Sequence, residues 1–185
     1  MRAVLLINFL ISSLLVDGFS PALTTRRSSS LSMGLKVGDS FPKDALKKFG
    51  ASGKKSVIFF FGSDDSPSCK KQNSAFDEQA AEFKKAGATI IGVRNEAGAK
   101  NTPDVAQTLV IDESDAVRNE IGIAKDLFGL LGGRETYVVG KDGTVEFVFN
   151  DQFKPEDHVS KALAYVESTA ASGGGGGFDL GSFFK

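Results

Sequence analysis

The chain has 185 residues, with 22 Lys and Arg against 23 Asp and Glu for a formal net charge of −1, and it is 41% hydrophobic and 24% charged. This is the profile of a folded globular protein, with no electrostatic ground for a nucleic acid or an anionic membrane as partner. One cysteine and one histidine are too few for a structural zinc site and allow no intrachain disulfide, and His158 lies far from any nucleophile-elbow sequence that Ser-His-Asp chemistry would need.

Residues 1–33 hold three arginines (Arg2, Arg26 and Arg27), one acid (Asp17) and no lysine. This leader is therefore +2, and the 19 basic and 22 acidic residues that remain give 34–185 a charge of −3. The apolar run Ala3 to Val16, broken by Asn8, Ser12 and Ser13, is too short and interrupted for a stable membrane span but suits the h-region of a signal peptide. Phe19-Ser20-Pro21 and an acid-free stretch, Thr24-Thr25-Arg26-Arg27-Ser28-Ser29-Ser30, follow with the composition of an organelle transit segment. In series the two resemble the bipartite leaders of algae with complex plastids, which implies a plastid protein. The alternative is a secretory signal with a polar spacer, and hence a secreted protein.

The domain is expected over 34–168, one core's worth of chain. Ser56-Val57-Ile58-Phe59-Phe60-Phe61 is a continuous apolar run of β-formers, as in a strand covered on both faces. A loop of small and acidic residues, Gly62 to Ser68, leads to a helix predicted from Cys69 to Ala86, with Phe76, Ala80 and Phe83 on one stripe and Gly87 as its stop. Thr89 to Val93 is the next strand, parallel to the first as in a βαβ unit. Asn95 to Pro103 reads as loop, Thr108 to Ile111 as strand, and Asp115 to Ile121 as a short helix capped by Ser114. Glu135 to Val139 and Thr144 to Asn150 flank Lys141-Asp142-Gly143, a hairpin signal. Pro155 opens a last helix with Val159, Ala162, Leu163 and Val166 at helical spacing. Residues 169–185 are a Gly-rich linker and Phe-rich tail, Phe178 to Lys185, read as a weakly ordered segment against its own domain or as a docking peptide. The order βαβ…βα…ββα specifies an α/β, thioredoxin-like fold, a central mixed sheet flanked by helices. No P-loop or G-x-G-x-x-G precedes a helix, so no nucleotide cofactor is expected.

Cys69 falls where a buried strand gives way to a helix. Unpaired N–H groups and the macrodipole favour thiolate over thiol there. Its flanks Asp64, Asp65, Ser66, Pro67, Ser68 and Lys70 are polar, unlike those of an inert core cysteine.

Ser63-Asp64-Asp65-Ser66-Pro67-Ser68-Cys69-Lys70-Lys71-Gln72 after an apolar strand resembles the active-site loop of peroxiredoxin Q, the bacterioferritin-comigratory-protein type of peroxiredoxin. Phe83-Lys84-Lys85-Ala86-Gly87-Ala88, Asp126-Leu127-Phe128-Gly129, Gly133-Arg134-Glu135-Thr136-Tyr137 and Asn150 to His158 extend the resemblance over about residues 36–167. It implies a thiol-dependent peroxidase that reduces hydrogen peroxide and organic hydroperoxides. In that scheme Cys69 is the nucleophile that becomes a sulfenic acid, and Arg134 stands beside the sulfur. Ser66 supplies the hydroxyl that the family usually takes from threonine, and His158 is expected to face solvent without a catalytic role. Gly62 replaces the family's proline, and Ser74 replaces the resolving cysteine of its commonest members. A sulfenic acid here must therefore be reduced by an outside thiol, from thioredoxin, glutaredoxin or glutathione, and the protein is expected to be a monomer. A dithiol oxidoreductase would need C-x-x-C where this chain has Ser66-Pro67-Ser68-Cys69. The alternative from another class is a non-catalytic thioredoxin-fold module that binds a partner.

Overall fold

A computed structural model describes residues 34–101, 103–125 and 132–172. The leader, the tail from Gly173 onward and the Asp126-Leu127-Phe128-Gly129 match lie outside the described residues. The five strands are β1 (Ser56–Phe60), β2 (Thr89–Arg94), β3 (Thr108–Ile111), β4 (Glu135–Val139) and β5 (Val145–Asn150). They form one sheet in the order β3-β2-β1-β4-β5. β1 pairs parallel with β2 and antiparallel with β4, β2 pairs parallel with β3, and β4 pairs antiparallel with β5. The parallel half and the antiparallel half thus meet at β1.

That central position explains the unbroken apolar run. Ile58 and Phe60 point to one face, where they join Ile91, Val93, Tyr137 and Val139 beneath α1 (Lys43–Lys48) and Val117 and Ile121 of α4 (Ala116–Ile121). Val57, Phe59 and Phe61 point to the other, against Phe76 of α2 (Pro67–Glu78), Phe83 of α3 (Ala80–Lys85) and Val159, Ala162 and Val166 of α5 (Pro155–Ala171). Phe59 stacks on Phe76 with ring centroids 4.1 Å apart.

Four local details differ from the sequence reading. The helix predicted as continuous from Cys69 to Ala86 begins at Pro67 and breaks at Gln79, whose φ −97° and ψ 4° end α2 and restart the chain as α3. Phe76 and Phe83 stay on the same face across the break, with ring centroids 5.8 Å apart. α4 is not capped by Ser114, which sits at φ 55° in a 3₁₀ turn over Glu113–Asp115. Instead the buried Asp112 carboxylate accepts from the N–H groups of Val117 at 2.9 Å and Arg118 at 3.0 Å. α5 runs on to Ala171, inside the stretch read as linker, with Thr169 Oγ1 accepting from Lys55 Nζ at 2.7 Å.

The fourth detail is His158, expected at the surface and found fully buried. Its Nε2 lies 2.8 Å from the Asp151 carbonyl and its Nδ1 2.8 Å from Thr136 Oγ1. A carbonyl only accepts, so Nε2 carries the hydrogen and Nδ1 accepts from the threonine hydroxyl. Burial pushes the imidazole down to about 4; the Asp151 hydrogen bond opposes this and the Arg134 charge adds to it. A histidine held neutral in the native state stabilises the fold above its unfolded value of roughly 6.5, and that stability is lost as pH falls toward 4. The expected size is about 1.4 kcal/mol per pH unit, or roughly 3 kcal/mol across the window. Urea titrations of wild type and His158→Gln at several pH values check this. Their stability difference should grow from pH 4 to 6.5 and then level, and a difference independent of pH would refute it.

Candidate active site

β1 and β4 run antiparallel with Phe60 opposite Glu135. The chain leaving β1 therefore passes beside the residue that enters β4, and that residue is Arg134. Sequence separation hides this neighbourhood, and sheet register creates it. Gly62 to Ser66 form the turn, Ser66 stands at the N-cap and Pro67 at the first helical position. Cys69 thus lies in the first turn of α2, where backbone N–H groups have no intrahelical acceptor. The thiol is free and 3% exposed.

Arg134, 2% exposed, spans the site with both of its terminal nitrogens. Nη2 donates to Ser68 Oγ at 2.9 Å and to Cys69 Sγ at 3.5 Å. Nη1 donates to Gln72 Oε1 at 2.8 Å and to the Ser68 carbonyl at 3.3 Å. Ser66 makes no capping bond with its side chain, and its Oγ sits 3.3 Å from Ser68 Oγ. These groups open on a cavity of about 260 Å³, also lined by Asn95, Gly98 and Gln152. All three residues singled out in the sequence, Cys69, Arg134 and Ser66, line it.

Sequence reasoning missed what holds them in place. Asp64, buried in the active-site loop, pairs with Arg94 Nε at 3.0 Å and accepts from the Asn101 N–H at 3.2 Å. Its own N–H donates to the Gly98 carbonyl at 2.9 Å. The loop after β2 is thereby tied to the loop after β1. A side chain at Gly98 would place Cβ 2.0 Å from the Gly62 carbonyl oxygen, so only glycine permits this approach. Gly133 is under the same constraint, with its missing Cβ 2.0 Å from the Ala124 carbonyl oxygen. Adjacent parallel strands end on the same edge, so an acid after β1 and an arginine closing β2 were a readable signal for the pair. Gln72 and Ser68 could have been found by spacing, since residues i and i+4 share a face of α2.

The AhpC/TSA family pattern matches residues 40–148. The chloroplastic peroxiredoxin Q of Sedum lineare is 40% identical over 129 residues, covering 67% of this chain and 68% of that protein. Its counterpart in Oryza sativa subsp. japonica is also 40% identical over 129 residues, covering 67% and 58%. Among solved structures, Xanthomonas campestris peroxiredoxin Q superposes with a TM-score of 0.60 at 23% identity over 73% of this chain and 99% of that one. The Mycobacterium tuberculosis peroxidoxin BcpB gives 0.59 at 24%, over 72% and 97%. These structures share the thioredoxin-like α/β fold seen here, and the family match over residues 40–148 includes the loop of Cys69, Arg134 and the strand after it. The chain therefore belongs to the AhpC/TSA family of peroxiredoxins, on its peroxiredoxin Q branch.

Proposed function

We propose that this protein is a thiol-dependent peroxidase working through one cysteine. The observation that carries the reading is the buried Arg134 guanidinium, 3.5 Å from the only thiol in the chain. A fixed cation favours the thiolate, the form that attacks peroxide. Cys69 attacks one peroxide oxygen, the O–O bond breaks, and a sulfenic acid forms as water or an alcohol leaves. Ser66 offers its hydroxyl to the bound peroxide, which is hydrogen peroxide or an organic hydroperoxide. Arg134 holds the sulfur and stabilises charge on the departing oxygen.

The sulfenic acid is then reduced from outside, because the chain has no second cysteine. Ser74 lies exposed on α2 and opens on a separate cavity of about 260 Å³ with Lys70, Asn73 and Asn101. Thioredoxin, glutaredoxin or glutathione is the reductant in this scheme, and the working unit is a monomer. The leader composition and the chloroplastic relatives together favour a plastid location; a reporter fused to residues 1–33 tests it.

Cys69→Ser should abolish peroxide consumption in the presence of dithiothreitol. After a brief peroxide pulse the wild type should carry a dimedone adduct on Cys69 by mass spectrometry. Persistent turnover in the variant would overturn the assignment.

A further inference from the structure

The geometry points to Ser68, the residue immediately before the thiol, as a second hydroxyl-bearing catalytic residue beside Ser66: its O–H delivers the polarising power of Arg134 to the departing peroxide oxygen. The inference rests on the peroxidase reading and extends it to a group that neither the family comparison nor the loop motif assigns.

A guanidinium carries four hydrogens on its two terminal nitrogens. In the resting site all four have acceptors: Ser68 Oγ and Cys69 Sγ take those of Nη2, and Gln72 Oε1 and the Ser68 carbonyl take those of Nη1. The remaining donor, Nε–H, is buried and has no partner among the described residues. A peroxide in the cavity therefore meets an arginine whose terminal hydrogens already have acceptors, so part of its stabilisation of the departing oxygen passes through Ser68. Ser68 Oγ, in contrast, accepts from the guanidinium at 2.9 Å and has its own hydrogen to give. The oxygen within its reach is Ser66 Oγ, at 3.3 Å, a long contact. Accepting a charge-assisted bond polarises a hydroxyl and strengthens it as a donor. Ser68 is half-buried and lines the cavity beside Cys69 and Ser66. Gln152 lines the same cavity, and its buried Oε1 has no partner among the described residues.

The step balances without a further reactant. A thiolate lone pair attacks the nearer peroxide oxygen, the S–O bond forms and the O–O bond breaks. Sulfur is oxidised to the sulfenic acid as the peroxide is reduced. The far oxygen leaves with the electron pair as hydroxide or alkoxide, held by the Ser68 hydroxyl, and takes its proton from water.

Removing one preorganised donor to a developing oxyanion costs about 10²-fold in rate. Ser68→Ala should therefore lower the second-order rate constant with hydrogen peroxide by about that factor. Alkylation of Cys69 by iodoacetamide has no departing oxyanion of this kind, so its rate should stay near that of wild type. Ser68→Thr keeps the hydroxyl and should stay within several-fold of wild type. A Ser68→Ala enzyme as fast as wild type overturns the inference. So does a parallel fall in alkylation, which would make Ser68 only a support for Arg134. Wild-type protein that leaves peroxide unconsumed overturns the peroxidase reading itself, a result distinguishable from either.

Discussion

Arg134→Ala is expected to slow the reaction of Cys69 with peroxide by about 10²–10³-fold, the usual loss when a preorganised charge-stabilising donor is removed. The variant deletes the one cation in contact with the sulfur among the described residues, at 3.5 Å, together with the donor to Ser68 Oγ. It also leaves Gln72 Oε1 without the bond that it accepts at 2.8 Å in a fully buried position. An unsatisfied buried acceptor costs about 1–3 kcal/mol, so a modest loss of stability should accompany the loss of rate. Iodoacetamide alkylation measured against pH separates the two effects. Without the guanidinium Cys69 should be alkylated more slowly throughout the profile, which instability of a still folded protein would not cause. Arg134→Lys should recover only part of the rate, since an ammonium keeps the charge and cannot bridge Ser68 and Gln72 with a planar fork. An unchanged alkylation profile in Arg134→Ala would show that the guanidinium does not act on the sulfur.

The difference between Cys69 and Arg134 shows which parts of such a site a sequence exposes. Cys69 is legible locally: an apolar strand, a small-residue turn and a helix start follow one another within 14 residues, Ser56 to Cys69. Arg134 has no local signature. Without the family resemblance it reads as a surface charge before a strand, and its burial follows from the pairing of β1 with β4, a contact between residues far apart in the chain. The hairpin from β4 to β5 was legible because Asp142-Gly143 dictates its own turn, with Gly143 at φ 88°.

His158 failed for a different reason. A histidine three residues after a helix-opening proline ordinarily faces water, but His158, Ala162 and Val166 lie on one i, i+4, i+8 stripe, and all three are buried. The stripe was in the sequence, and the polarity of the residue masked it. Ser114 and Gln79 are failures of local chemistry. Asp112 outcompetes Ser114 because its carboxylate reaches two N–H groups at once. The break at Gln79 carries no glycine or proline, so nothing in the local sequence marks it.

Arg118→Met is expected to be the most destabilising single change outside the apolar core, by about 3–5 kcal/mol, the cost of breaking a buried charge network from one side. Arg118 is 5% exposed and lies under the site. Nη1 donates to the Gly133 carbonyl at 2.6 Å, and Nη2 donates to the carbonyls of Phe61 and of Val93, the latter at 3.4 Å. Nε faces Asp115 at 3.4 Å, and the guanidinium lies 5.2 Å from the centre of the Phe60 ring. Burial pushes its pKa below the usual arginine value, against the pull of Asp115 and then Asp112. It nonetheless stays charged, as a guanidinium does throughout the physiological range. Methionine fills much of the same volume but satisfies none of the carbonyls. Those carbonyls close β1, sit at the end of β2 and immediately precede Arg134, so the residues that present sulfur and guanidinium lose their common anchor. Urea unfolding should show a lower midpoint with an unchanged slope, and the folded variant should react with peroxide more slowly than wild type at matched folded fraction. A stability change below about 1 kcal/mol, the range of a typical solvent-exposed pair, would show that the anchor is dispensable.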